Sequence, residues 1–141
     1  MTIRTCFTKD QRLISKDQLT KTYNMRNFRE LEVWKQSLQF VTKVYAITAQ
    51  FPKEEKFGLV SQMNRCAVSV PANIAEGCSR KTAIDFARFL EIAIGSSFEL
   101  ETYLEIVFQL NLIQKEVYDN LLIELSVIQK RVNALRESIL K

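Results

Sequence analysis

The sequence predicts an all-α protein that folds as an up-down-up-down antiparallel four-helix bundle. Apolar residues recur at steps of three and four along four long segments, which is typical of amphipathic helices. Only three glycines and two prolines occur in 141 residues, which leaves little room for the many turns of an all-β fold. Short connections make consecutive helices antiparallel. The pattern predicts helices over about residues 28–51, 53–77, 83–110 and 115–140.

The first helix carries two apolar stripes. We expect one stripe to face the core of the bundle: Leu31, Trp34, Leu38, Val41, Tyr45 and Thr48. The other lies on a different side of the helix, at about 100° per residue, and comprises Val33, Phe40, Val44, Ile47 and Phe51. A helix in a monomeric bundle needs one apolar face, so the second stripe predicts the interface of a homo-oligomer. The alternatives are that the preceding residues fold back over this stripe, or that it is simply exposed.

The other three helices each carry one clear apolar row. The second helix is expected to bend at Pro71 and to end at Gly77 as its C-cap, and Thr82 and Asp85 resemble a capping box that begins the third helix. Small residues at 93 and 95–97 would let another helix approach closely. The expected core residues are Phe57, Val60, Met63, Ala67, Val70, Ile74, Phe86, Leu90, Ala93, Ser97, Leu100, Leu104, Val107, Val117, Leu121, Leu125, Ile128, Val132, Leu135 and Ile139.

Residues 1–24 show no sustained periodicity and are rich in Thr, Lys, Gln and Asp. We interpret them as a flexible leader; alternatively, Met25 is the natural start and the leader comes from an upstream start assignment. The leader holds five basic and two acidic residues, whereas the bundle domain, residues 25–141, holds 15 basic and 14 acidic ones. The basic balance of the chain therefore belongs mainly to the leader.

Several classes of chemistry are disfavoured by what the sequence lacks. It contains no histidine, which excludes Ser-His-Asp triads, Cys-His dyads, Glu-x-x-His di-iron bundles and the commonest zinc sites. Cys6, Cys66 and Cys78 lack metal-ligand spacing, and the last two would lie ~18 Å apart on one helix. No signal peptide or membrane-spanning run is recognisable. We predict a cytoplasmic protein that is not an enzyme and uses no metal or cofactor.

Basic and polar residues on the helices supply the candidate binding sites. Two basic clusters occur in the domain, Arg80, Lys81 and Arg88, and Lys130, Arg131 and Arg136. Each is either a phosphate-binding site or a solvated helix face. The second helix also carries a polar row expected to face away from the core: Gln62, Arg65, Ser69, Asn73, Glu76 and Arg80. This row is a subunit contact or a recognition surface, or is merely solvated. Glu99 and Glu101 point about 200° apart and form no shared site.

Motifs in order and spacing support a resemblance over residues 26–140. The motifs are Phe28-x-x-Leu31-x-Val33-Trp34, Phe51-Pro52-x-Glu54-x-x-x-Gly58-Leu59, the segment 62–77, Phe86-x-x-Phe89-Leu90, and Ala93-x-Gly95-Ser96 through Glu101. They resemble the bacterial-type four-helix bundle family of proteins encoded in 23S (large-subunit) ribosomal RNA intervening sequences. That family includes the accessory variability proteins of diversity-generating retroelements.

The resemblance implies an up-down bundle that assembles as a ring-like homopentamer. Accessory members are thought to bind nucleic acid and a reverse transcriptase, which makes Arg65, Arg80 and Arg88 the candidates carried over by position; Gly95 and Ser96 would serve helix packing. The leading hypothesis is a homo-oligomer that binds structured RNA or DNA through basic residues. The alternative is a scaffold or accessory factor that docks a protein partner such as a reverse transcriptase.

Overall fold

The fold is a four-helix bundle, as predicted. A computed structural model describes residues 26–141, so the predicted leader lies outside the described residues. Four α-helices follow one another: α1, Glu32–Thr48; α2, Ser61–Cys78; α3, Ala83–Gln109; and α4, Lys115–Leu140. A 3-10 turn at Phe28–Glu30 precedes α1, and the described part of the chain contains no strand. The helices run alternately up and down, with α2 against α3 and α4 closing the bundle.

The cores of α3 and α4 match the prediction. All seven residues of the predicted α3 row are buried, and Leu90, Leu100 and Leu104 are completely excluded from solvent. The centre of the α4 row is buried and its ends, including Val117 and Ile139, are partly so. Thr82 caps α3, because its Oγ1 accepts a hydrogen bond from the backbone N–H of Asp85 (3.1 Å). These helices carry one apolar face each, and that face is buried.

The structure buries the stripe of α1 that was predicted to lie outside the bundle. Val33, Phe40, Val44 and Phe51, predicted to form an oligomer interface, are buried in the core of the chain itself, and Ile47 is partly buried against it. In the predicted core stripe Thr48 is buried and three residues are partly buried against the core, whereas Leu38 is 39% exposed and Tyr45 48% exposed. The interface prediction is therefore wrong for the four buried residues, which lie in the core of one chain instead.

A polar residue in the buried row explains why the apolar pattern predicted the wrong inner stripe for α1. Ser37 is buried between Val33 and Phe40, and its Oγ donates to the backbone oxygen of Trp34 (2.8 Å). Bonded within its own helix, the hydroxyl costs little in the core. The other stripe is more continuously apolar, yet packing of α1 against α2 and α4 decides which stripe is inside.

The start of α2 also differs from the prediction. Its α-helical part begins at Ser61 rather than Lys53, after a 3-10 turn at Lys53–Glu55 and a turn of π-helix at Lys56–Val60. Gly58 breaks the helical path with φ −99° and ψ −108°. Phe57, predicted to be in the core, lies on this segment and is 87% exposed. The helix then continues through Pro71, which is buried within it.

Gly77 is not the C-cap of α2. The helix extends to Cys78, and no glycine of the described chain has a positive φ. Gly77 is buried where α3 crosses: a Cβ there would lie 2.7 Å from Cδ2 of Phe86 and 2.9 Å from Cβ of Phe89. A glycine is needed at this position because the two helices touch.

Candidate nucleic-acid interface

Contacts between helices show which helix termini lie at the same end of the bundle. Arg26 Nη1 donates to the backbone oxygen of Arg80 (3.4 Å), and Arg136 Nε donates to Glu91 Oε1 (3.0 Å). The start of α1, the end of α2, the start of α3 and the end of α4 therefore form one end of the bundle. At the opposite end, Thr48 Oγ1 donates to Asn64 Oδ1 (2.9 Å).

Charge is separated along the axis of the bundle. The first end, which we call the basic end, comprises residues 26–32, 76–91 and 130–141 and holds nine basic and six acidic residues. The opposite end, the acidic end, comprises residues 48–65 and 98–119 and holds seven acidic and four basic residues. The net charge of the domain is close to zero and does not reveal this separation. An electric field along the bundle axis orients the molecule on a charged partner.

Most of the predicted basic residues gather at the basic end. Arg80, Lys81, Arg88 and Arg136 lie there, and Lys130 and Arg131 follow within about 9 Å along α4. Arg131 is also one of the charges that lower the pKa of Glu32 at the start of α1, although the hydrogen bond from Lys35 is the main cause.

Arg65 is not part of this group. It lies near the start of α2, at the acidic end. Sequence reasoning missed Arg26 and Arg29, because they adjoin the segment interpreted as a leader. Arg26 lies over the ring of Phe86, 4.9 Å from its centroid, and Arg29 over that of Phe28, at 4.5 Å. Arg29 directly follows Phe28 in the sequence, which is a signal that could have found it, whereas only the fold brings Arg26 to Phe86.

The basic side chains make only weak, exposed interactions with other residues of the chain. Arg80 pairs with Glu76 (3.0 Å) and lies over the ring of Phe89, and Arg136 pairs with Glu91 (3.0 Å). Arg88 is 3.4 Å from Asp85, and among residues 26–141 Lys81, Lys130 and Arg131 make no such pair. Exposed ion pairs contribute about 1 kcal/mol or less, so these cations can exchange a carboxylate for a phosphate oxygen.

The polar row of α2 is only partly a surface, contrary to the prediction. The hydroxyls of Ser69 and Ser96 share a hydrogen bond (2.8 Å), and Asn73 Nδ2 donates to Ser69 Oγ (2.9 Å). The centre of the row thus joins α2 to α3. Gly95, beside Ser96, instead faces open space, because a Cβ added to it would have no atom within 4 Å.

The acidic end contains a cleft between α3 and α4 with a volume of about 530 Å³. Its lining comprises Phe98, Glu101, Thr102, Glu105, Tyr118 and Leu122. The Tyr118 hydroxyl donates to Glu105; this bond raises the pKa of Tyr118 to about 12 and lowers the pKa of Glu105. Gln129 donates to Glu101 (2.8 Å). The two carboxyl side chains of Glu101 and Glu105 make the cleft a poor site for phosphate and a suitable one for cations.

The described cysteines are suited to packing rather than chemistry. Cys66 and Cys78 are free and buried on α2. Burial raises the pKa of the Cys66 thiol to about 12 and that of Cys78 to about 11, so both are protonated at neutral pH and are poor nucleophiles. Within residues 26–141 no three side chains of the usual metal-binding types cluster together. Likewise, none of the helices over this range is long and apolar enough to cross a bilayer.

Thiol labelling provides a test of this burial. In a full-length Cys6→Ser variant, a disulfide reagent should label Cys66 and Cys78 at least about 100-fold more slowly in the native protein than in denaturant. Because folding raises both pKa values, the stabilisation contributed by the two protonated thiols should be fully present below about pH 9 and be lost as the pH rises toward 11 and 12. Rapid labelling of the native protein would contradict the buried placement.

Comparison with known proteins agrees with the fold. The family described as 23S rRNA-intervening sequence protein matches residues 29–134. A crystal structure of a Bacteroides thetaiotaomicron protein of unknown function, from the S23 ribosomal protein family, superposes with a TM-score of 0.69 and 26% identity, covering 74% of this chain and 95% of that one. No curated protein matches the sequence. The chain belongs to the 23S rRNA-intervening sequence protein family.

Proposed function

We propose that this chain is a cytoplasmic, non-enzymatic homo-oligomer that binds structured RNA or DNA through the basic end of its bundle. The observation that carries the proposal is the meeting of basic side chains from the start of α1, the α2–α3 connection and the end of α4. Each copy offers a few phosphate contacts. Repetition of these contacts round a homopentamer, the assembly that the family resemblance favours, would convert weak sites into useful affinity.

The chemistry of the basic end favours phosphate backbone over unpaired bases. Phe86 is buried, and guanidinium groups lie over the rings of Phe28, Phe86 and Phe89. The end therefore offers donors rather than open aromatic rings, whereas single-stranded nucleic acid is usually held by stacking. The acidic end repels phosphate, so the bundle would approach a helical nucleic acid with its basic end first.

Removing three charges tests this proposal. We expect the full-length variant Arg80→Gln, Lys81→Gln, Arg88→Gln to bind an RNA hairpin and a DNA duplex at least about 10-fold more weakly at moderate salt. Its plot of log affinity against log salt should also be less steep, because fewer counterions are released. Fluorescence anisotropy over a salt series measures both quantities.

A matched control removes three charges from the acidic end. Lys53→Gln, Lys56→Gln, Lys115→Gln changes the net charge equally and keeps the basic residues at 1–24, so it should bind as the unaltered chain does. Equal loss in both triple variants would mean that net charge alone matters. No binding by the unaltered chain, or salt-independent binding, would refute the proposal.

A second candidate function is the docking of a protein partner such as a reverse transcriptase. The cleft at the acidic end favours it, because aromatic and apolar walls beside Glu101 and Glu105 suit an Arg or Lys side chain of a partner. If this function is correct, Glu101→Gln with Glu105→Gln should weaken binding of a purified basic partner and leave nucleic-acid affinity unchanged. Unchanged partner binding would exclude the cleft.

A further inference from the structure

The chain enters the bundle at its basic end. Two contacts hold Arg26 there: its guanidinium lies over the ring of Phe86, 4.9 Å from the centroid, and its Nη1 donates to the backbone oxygen of Arg80 (3.4 Å). Asn27 then caps the 3-10 turn that leads into α1. Whatever path residues 1–25 take, they are therefore attached to the bundle at the basic end, beside the connection between α2 and α3.

The leader and the basic end carry charge of the same sign. Residues 1–24 hold five basic and two acidic residues, and the basic end holds nine and six, so each has a net charge of +3 and together they carry +6. The acidic end, by contrast, has a net charge of −3. Because like charges repel, the basic end cannot neutralise the cations of the leader, and an anionic partner meets both at the same place.

Basic residues occur along most of the leader at intervals of three to five residues: Arg4, Lys9, Arg12, Lys16 and Lys21. An extended chain spans at most about 3.6 Å per residue, so Lys21 lies within about 18 Å of Arg26, and Arg12 within about 50 Å. The basic end is two helices wide, about 20–24 Å, which corresponds to about six or seven base pairs of a duplex. The leader is therefore long enough to contact phosphates beyond the edge of the bundle.

The acidic residues nearest to this attachment already have partners. Glu76 pairs with Arg80, Asp85 with Arg88, and Glu91 with Arg136. The carboxylates of the basic end thus offer the leader few free acceptors. Phosphate groups of a bound nucleic acid are a denser source of negative charge, at one charge per about 1.7 Å of duplex axis.

We propose that residues 1–24 act as a second phosphate-binding element, which contacts the same nucleic acid as the basic end and extends the contacted site beyond the bundle. The inference rests on the proposed function and adds a segment to its site. Because the leader is covalently attached at Arg26, its contacts form at a high local concentration once the basic end is bound. Tethered contacts of this kind strengthen the whole complex.

A full-length leader variant, Arg12→Gln, Lys16→Gln, Lys21→Gln, tests the inference. It should bind an RNA hairpin and a DNA duplex at least about 5-fold more weakly at moderate salt. On the duplex, the slope of log affinity against log salt should become less steep by about 1–3, since each lost phosphate contact removes about 0.9. The matched control is the acidic-end variant Lys53→Gln, Lys56→Gln, Lys115→Gln, which removes equal charge and should bind as the unaltered chain does.

Two further measurements separate an extended site from a general effect of charge. Lengthening the DNA duplex from about 8 to about 24 base pairs should strengthen binding of the unaltered chain more than that of the leader variant, because the basic end alone covers the short duplex. The opposite change, Asp10→Asn with Asp17→Asn, removes the acidic residues of the leader. It should strengthen binding to the long duplex, and damage to the fold cannot produce such a gain.

The inference would be overturned if the leader variant kept the affinity and the salt slope of the unaltered chain, or if the acidic-end control lost as much binding. Unchanged binding with a lower free energy of unfolding would show instead that the leader packs on the bundle, for example over the exposed Leu38 and Tyr45. Normal binding by the leader variant, together with loss of binding by the variant of residues 80, 81 and 88, would refute only the role of the leader. No binding by the unaltered chain would refute the proposed function as well.

Discussion

Replacing Phe40 by alanine should lower the free energy of unfolding by about 3–5 kcal/mol, the range for deleting a buried aromatic side chain. Phe40 is buried at the centre of the inner row of α1, between Val33 and Val44. Its loss removes apolar burial and leaves a cavity that the surrounding helices fill only partly. Urea unfolding followed by circular dichroism measures the difference.

Tyr45→Ala is the matched control on the same helix. Tyr45 is an aromatic residue of similar size but 48% exposed, so truncation should cost about 1 kcal/mol or less. Both variants should be measured at the same protein concentration, so that any self-association is compared under equal conditions. Equal costs, or a larger cost for Tyr45→Ala, would restore the face assignment that the sequence suggested and contradict the structure.

The contrast between α1 and the last two helices shows what the sequence could predict. α4 was predicted at residues 115–140 and spans Lys115–Leu140, because its core positions form a single row; residues 110–114 connect it to α3. α1 offers two stripes of similar apolarity, and the buried one contains Ser37. Local pattern measures only how apolar a face is; which face is buried depends on how α2 and α4 pack against it.

The segment before α2 shows a second limit. Residues 53–60 continue the spacing of the α2 row, yet Gly58 leaves the helical region and Phe57 points to solvent. A glycine within a helical pattern is compatible with both a continuous helix and a break. The tertiary structure, rather than the local sequence, selects the break here.

The candidate site was predictable in part. Up-down connectivity places the end of α2, the start of α3 and the end of α4 together, so the meeting of Arg80, Arg88 and Arg136 follows from the topology. Arg65 was included because the family resemblance carries it over by position and because it shares the polar row of α2, although it lies at the other end of that helix. Charge counted over the whole domain concealed the basic end, whereas charge counted separately for each end of the helices reveals it.

Gly77→Ala should destabilise the protein by about 2 kcal/mol, an overpacking cost reduced by the better helix propensity of alanine. The added methyl would overlap Cδ2 of Phe86 (2.7 Å) and Cβ of Phe89 (2.9 Å). Phe86 is buried beneath the guanidinium of Arg26, so its ring has little room to move. The distance between α2 and α3 at Gly77 must increase instead.

Gly95→Ala is the matched control, since nothing lies within 4 Å of its added Cβ. It should stabilise the monomer by roughly 0.5–1 kcal/mol, because alanine loses less backbone entropy in a helix. Opposite signs for the two substitutions, measured by urea unfolding, would show that Gly77 serves close packing; a stabilising Gly77→Ala would contradict the crossing. Because Gly77 precedes Arg80 by three residues, widening the crossing also displaces the basic end. Gly77→Ala should therefore weaken nucleic-acid binding without altering any charge.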